Sequence, residues 1–285
     1  MAKVEGHKCL VERVQTVAGS LTATEQRLIS ELLKAPMEVA IGTSSEFAAR
    51  LGVHEATTSR LARKLGFASY AEFRDALRSE FLKAADPAAR ISAALNDPRA
   101  EAFLPRLVAD EMAALSAITS HVTDARVQEA ADKLDRRRVF IYAHGNAEVL
   151  AILMERRLRR LGIDSRALDG SPRDMAEQML ALCADDTLLI FAFRRPPLDY
   201  SRLMQVATEV QAATVVVSDT IGPSLSPRPD VLLSAPRAGT SNSFQTLTVP
   251  MAICNSVILA LASRRGNEAL EKLNRLGELI ERFER

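Results

Sequence analysis

The feature that most constrains this chain is a change of hydrophobic period partway along it. Up to about Leu82 the apolar residues recur with the 3.6-residue spacing of helices and no strand pattern appears. From Arg138 onward, short β-branched runs such as "VFIYA", "TLLIFAF", "TVVVS" and "DVLLSA" alternate with helical stretches of ten to eighteen residues. One period cannot serve both halves, so two domains are expected. Between them "KAADPAARISAALNDPRAEAF" carries two Asp-Pro breaks, which bias the preceding residue away from the helical region. The boundaries follow: an all-α bundle over 1–83, a linker over 84–105, and an α/β domain over 106–285 that opens with two bridging helices.

Composition removes several classes. The chain has 285 residues, 47% hydrophobic and 26% charged, with a net charge of +1, so no global field marks it as a partner of polyanions. Any nucleic-acid contact must come from a local patch. Cys9, Cys183 and Cys254 are scattered and odd in number, matching neither a disulfide framework nor metal-ligand spacing, and a reducing cytoplasm is the expectation. No metal site and no cofactor is expected. "LTVPMAICNSVILALAS" (Leu247 to Ser263) is short for a membrane span and contains Pro250, Asn255 and Ser256, so it reads as a buried helix of a protein without membrane contact.

In the first half, Thr22 with Glu25, Thr43 with Glu46 and Ser69 with Glu72 each place a hydroxyl three positions before a glutamate, the pattern of a reciprocal helix cap. The segment "TSSEFAARLGVHEATTSRLARKLGF" (Thr43 to Phe67) is more specific. A helix burying Phe47, Ala48 and Leu51 meets Gly52, which permits a tight turn, and a second helix starts near His54 or Glu55. Thr58, Leu61, Ala62 and Leu65 then form its buried stripe. Its other face shows Glu55, Ser59, Arg60, Arg63 and Lys64, and the stretch from Arg50 to Lys64 has four basic residues and one acid. Short polar residues and arginines at the start of a second helix are what base edges and phosphates require. Ser45, His54, Glu55, Thr57, Ser59, Arg60, Arg63 and Lys64 are therefore the candidate DNA contacts, with double-stranded DNA as the expected partner; the alternative on spacing alone is a small helical bundle with a solvated basic face.

In the second half, parallel strands joined by right-handed crossovers give a three-layer α/β sandwich, whose ligands bind beyond the carboxyl ends of the strands. After the first strand "HGNAE" has a single glycine, which excludes both the dinucleotide fingerprint and the P-loop. After "LLIFAF" come Arg194 and Arg195. Two readings of the pair stand side by side: a planar grip on a carboxylate or phosphate, or neutralisation of Asp174, Asp199 or Asp219 or a place at a subunit interface. Ser218, Ser241 and Ser243 are candidate pocket hydroxyls or helix caps. On "MERRLRRLG" the four arginines read as a solvated or interface face, with Val149, Leu150, Leu153, Leu158 and Leu161 inward.

The first half, through the string "TTSRLARKLGFASYAEF" (Thr57 to Phe73), resembles the DNA-binding domain of the RpiR family of bacterial transcriptional regulators. "ADDTLLIFAF" and "ATVVVSDTIGPSLSPRPDVLLSAP" resemble the sugar isomerase (SIS) domain that follows it in that family. The resemblance implies a regulator in which a phosphosugar or sugar acid binds at the strand ends and shifts operator affinity, with a homodimer or homotetramer as the assembly. It also implies departures. The family opens its recognition helix with serine where this chain has His54. It holds phosphate with a Gly-Ser turn and a Ser-x-Ser-Gly-x-[Ser/Thr] loop, where this chain has Gly145 and Asn146, then Ala192, Arg194, Arg195 and Pro197. Two alternatives follow from the same resemblance. One is a sugar-phosphate isomerase, for which His144 and Glu148 are the base candidates; the other is a regulator whose pocket is vestigial and serves only oligomerisation.

Overall fold

The computed structural model describes residues 13, 14, 17, 21–34, 39, 42–85, 91, 102–239 and 244–284. The chain divides into two compact units whose boundary along the sequence falls between Asp97 and Pro98. Ser241 and Ser243, Cys9 and most of the 84–105 stretch lie outside the described residues.

The first unit holds α1 (Ala23–Lys34), α2 (Ser44–Arg50), α3 (Glu55–Lys64) and α4 (Tyr70–Ala85). Its core is Leu28, Leu32, Phe47, Leu61, Ala62, Leu65, Phe73 and Leu77, so the expected stripe of α3 does face inward. Two of the three caps close reciprocally: Thr22 with Glu25 and Thr43 with Glu46. The third differs. Ser69 caps the Glu72 N–H at 3.1 Å, but the Glu72 carboxylate reaches back one residue further, to the Ala68 N–H. Between α2 and α3, Gly52 adopts φ +62°, and no heavy atom lies within 4 Å of where a Cβ would stand. Backbone conformation alone, not crowding, calls for glycine there.

The second unit opens with α5 (Phe103–His121), which begins inside the stretch read as linker, and α6 (Asp124–Leu134). Then come β1 (Arg138–Tyr142), α7 (Glu148–Arg160), β2 (Asp164–Leu168), α8 (Pro172–Met179) and β3 (Asp186–Ala192). After them follow α9 (Tyr200–Glu209), β4 (Ala213–Ser218), β5 (Val231–Ser234), α10 (Thr248–Arg265) and α11 (Asn267–Phe283). The five strands are all parallel in the order β2-β1-β3-β4-β5. Alternate strand residues build two cores. Val139, Ile141, Leu189, Phe191, Val215 and Val217 face α6, α7 and α10; Phe140, Tyr142, Leu188, Ile190 and Val216 face α8 and α9. The result is the expected α/β/α sandwich, and because every strand is parallel, the starts of α7, α9 and α10 gather at its carboxyl edge.

At the opposite edge, fully buried Asp186 opens β3 and accepts from the Arg138 guanidinium of β1 at 2.8 and 3.2 Å. Burial pushes its carboxyl pKa up, but hydrogen bonds from Arg138 and Cys183 outweigh that and hold it below the ordinary value. No described helix is long and apolar enough to cross a membrane. The sandwich closes with α10, whose Val249, Ile253, Cys254, Val257 and Leu261 are buried in the core; α11, which extends beyond it, has no counterpart in the sequence reading.

Candidate DNA interface and candidate effector site

α3 begins as a helix at Glu55, with His54 as its N-cap. The imidazole Nδ1 accepts the Ala56 N–H at 3.2 Å, doing what a serine hydroxyl does at such a start. An imidazole that accepts at Nδ1 carries its proton on Nε2, and that edge is left exposed. Glu55 is held too. Its carboxylate accepts from the Ser44 hydroxyl at the start of α2, and Thr58 Oγ1 donates to the Glu55 carbonyl at 2.7 Å. These bonds fix the start of α3 against the start of α2, and Ser45 is exposed beside them.

The structure sorts the sequence candidates. Ser59, Arg60 and Arg63, with His54, Glu55 and Ala56, line an open concavity of about 600 Å³ on the outer face of α3. Arg60 lies back along its own helix, its Nε 3.3 Å from the Ala56 carbonyl and its Nη2 3.5 Å from Oγ1 of half-buried Thr57. Two candidates have other work. Lys64 pairs with α1, its ammonium 2.8 Å from the Glu25 carboxylate. For Glu25, partial burial favours the neutral acid, yet the bonds from Lys64 and Thr22 prevail and lower its pKa. Glu55 accepts from Ser44 and so links the starts of α2 and α3.

At the carboxyl edge of the sheet, β1 ends in a tight turn at Gly145 (φ +62°) and exposed Asn146 before α7. The Gly145 N–H, the amide on which an anion was expected, donates instead to Glu148 Oε1 at 3.0 Å. The loop after β3 is filled in the same manner. Arg194 occupies the left-handed region at φ +66°, and its N–H donates to both oxygens of Asp219, at 3.0 and 3.1 Å. Such a conformation is unfavourable for a residue with a Cβ and persists only where surroundings over-determine it. Here the Asp219 carboxylate does so. The same carboxylate receives the Arg237 Nε and Nη2 at 3.1 and 2.8 Å, both side chains nearly buried, and the Arg237 guanidinium stacks 5.0 Å from the Phe193 ring centre.

Arg237 is the residue that sequence reasoning missed; its only signal was a lone arginine in "SAPRAG" after the last strand. Of the acids named as partners of the arginine pair, Asp174 caps α8 with Ser171, Asp199 meets Tyr142 and Arg202, and Asp219 meets both the Arg194 N–H and Arg237. Arg195 is exposed at the mouth of this edge. Ser218 is corrected: it is fully buried and donates to the Ala192 carbonyl at 2.6 Å, tying β4 to β3 rather than facing a ligand. Val149 is also corrected from inward to exposed, since it and Ile152 share the outer face of α7 with Arg156 and Arg160. Of the two base candidates for isomerisation, Glu148 is bound to its own turn and His144 is exposed.

Comparison with known proteins matches these two halves. Residues 8–84 match the helix-turn-helix domain of the rpiR family. An uncharacterised HTH-type transcriptional regulator of Haemophilus influenzae is 23% identical over 215 residues, 74% of each chain. Among solved structures, the Vibrio vulnificus NanR protein complexed with ManNAc-6P aligns over 96% of this chain and 98% of its own at 14% identity and a TM-score of 0.59. The sugar isomerase domain of the RpiR transcription factor from Sphaerobacter thermophilus aligns over 62% of this chain and 98% of its own, at 18% identity and a TM-score of 0.56. The first domain thus carries a helix-turn-helix of the rpiR family over residues 8–84, and the second has the fold of a sugar isomerase domain.

Proposed function

We propose that this chain binds a two-fold operator through α3 and that a small metabolite at the carboxyl edge of the α/β domain modulates that binding. The observation that carries the DNA half is the outer face of α3: Ser59, Arg60 and Arg63 surround one concavity, while the buried stripe and the Ser44–Glu55 bond fix the helix beneath them. Short polar and guanidinium groups on a rigid helix suit base edges and phosphates. Helix-turn-helix units read two half-sites as pairs, which supports a homodimer or homotetramer.

For the effector, a small anionic metabolite, a phosphosugar or sugar acid, is the class we favour, supported by the sugar phosphate in the Vibrio structure and by Arg195 at the mouth of the edge. The grip differs from an amide cradle. With the Gly145 and Arg194 amides taken by Glu148 and Asp219, an anion must be held by guanidinium groups. The same observation favours one rival reading, a vestigial pocket. Sensing rather than catalysis is supported by Glu148, whose carboxylate is committed to its own turn instead of a reacting carbon.

The test is a DNA-binding titration on the duplex upstream of the chain's own reading frame, with and without hexose phosphates and aldonic acids. A change in affinity that Arg195→Ala abolishes supports the sensor. Constant affinity across the panel leaves the vestigial pocket as the account, because a ligand shifts an equilibrium only by its differential affinity for the two states.

A further inference from the structure

Away from the loops just described, one buried acid is incompletely satisfied. Glu111 lies midway along α5 and is 8% exposed, on a helix whose neighbouring Leu107, Val108, Met112 and Leu115 are apolar and exposed. Its Oε1 accepts from the Thr246 hydroxyl, whereas its Oε2 is buried with no hydrogen-bond partner among the described residues. Thr246 Oγ1 stands 3.2 Å from Thr248 Oγ1 and accepts the Thr248 N–H at 3.4 Å. The carboxylate is therefore linked to the first residue of α10, an 18-residue helix with no side-chain cap on its N-cap residue. That start belongs to the carboxyl edge of the sheet, the edge at which ligands of parallel sheets bind.

Native proteins rarely leave a buried carboxylate oxygen unpaired, because the group has lost its water and gained nothing for it. We propose that Glu111, with Thr246 and Thr248, is a subsite for the hydroxyl groups of the effector, which makes that effector a polyol carrying its anionic group at its other end. The assignment rests on the effector reading above. Chemistry selects the class: an ionised carboxylate only accepts, so the group that completes Oε2 must donate, and Thr246 and Thr248 can each donate or accept beside it. A phosphate is refused here, since the acid already supplies the negative charge that the helix start attracts. Anion recognition and hydroxyl recognition are thereby separated along one edge, with guanidinium at Arg195 and carboxylate at Glu111.

The experiment is isothermal titration of the full chain with sorbitol 6-phosphate, glucose 6-phosphate and glucosamine 6-phosphate, with propyl phosphate as a reference that has the anion but no hydroxyl. Glu111→Gln keeps the shape and the acceptor toward Thr246. It is expected to weaken a sugar phosphate at least tenfold while leaving propyl phosphate unchanged. Thr248→Val, which leaves the Thr246–Glu111 hydrogen bond in place, should weaken the same ligand by about threefold and stands in if the glutamine variant does not fold. Undiminished sugar-phosphate binding in both variants overturns the subsite, as does equal weakening of propyl phosphate, which marks a structural role. Loss confined to glucosamine 6-phosphate overturns it in favour of an ammonium site. If no compound of the panel binds the wild-type chain, the effector reading fails first and the subsite falls with it.

Discussion

The outer face of α3 and the carboxyl edge of the sheet are both candidate anion-binding surfaces, and they are prepared in opposite ways. On α3 the acids are drawn aside: Glu55 is occupied by Ser44, and Glu25 lies on the neighbouring helix α1. Arg60 and Arg63 are left facing outward. At the sheet edge the acids are drawn in, so that Glu148 and Asp219 sit on the amides that a phosphate needs. The difference teaches that a fold's binding position and its binding chemistry separate. A parallel sheet fixes where a ligand goes, while a few side chains decide what charge is welcome there.

The comparison can be broken at its strongest point first. Asp219 holds a backbone turn and a nearly buried guanidinium, so Asp219→Ala leaves Arg237 as an uncompensated buried charge. It should destabilise the α/β domain by about 3–5 kcal/mol, measured as a lowered unfolding midpoint in denaturant; an unchanged midpoint would mean that the pair is not what holds the segments after β4 and β5 together. Next, Glu148→Ala frees the Gly145 amide. Inorganic phosphate should then bind roughly three- to tenfold more tightly by calorimetry, a gain within the ordinary worth of one hydrogen bond, and equal affinity would refute the view that the edge is filled by its own carboxylates. The smallest change is at the start of α3. Serine is a favoured N-cap, so His54→Ser should preserve the helix and raise the thermal midpoint by an amount worth under about 1 kcal/mol. A marked loss of stability there would show that the imidazole contributes more than its cap.

Much of this was legible in the sequence because it is local. The stripe Thr58, Leu61, Ala62 and Leu65 follows from a 3.6-residue period, and two caps follow from a three-residue spacing. The parallel sheet followed from strands separated by helices, and the missing phosphate loop from the plain absence of its serines. What escaped was set by distance along the chain. Lys64 meets Glu25 across 39 residues and Arg237 meets Asp219 across 18. No periodicity encodes such meetings, since they depend on which loops the fold brings side by side. Ser218 misled for a related reason: a serine at a strand end looks like a pocket hydroxyl until the neighbouring strand places the Ala192 carbonyl beside it. Glu148 is the instructive case. It stands three residues after Gly145, the spacing of a capping acid, but glycine brings no hydroxyl, so the pattern that found the caps of the first unit passes over it.

The claim on which the rest depends is that α3 reads DNA through Arg60 and Arg63. Fluorescence anisotropy with the upstream duplex, repeated over a range of salt, measures it most directly. Each arginine that meets the duplex should contribute about 1–3 kcal/mol, and taking away a cation that neutralises a phosphate should reduce the salt slope by about one. The account predicts that Arg60→Ala and Arg63→Ala each weaken binding by at least tenfold while the domain stays folded. Wild-type affinity with an unaltered salt slope in both variants would contradict it.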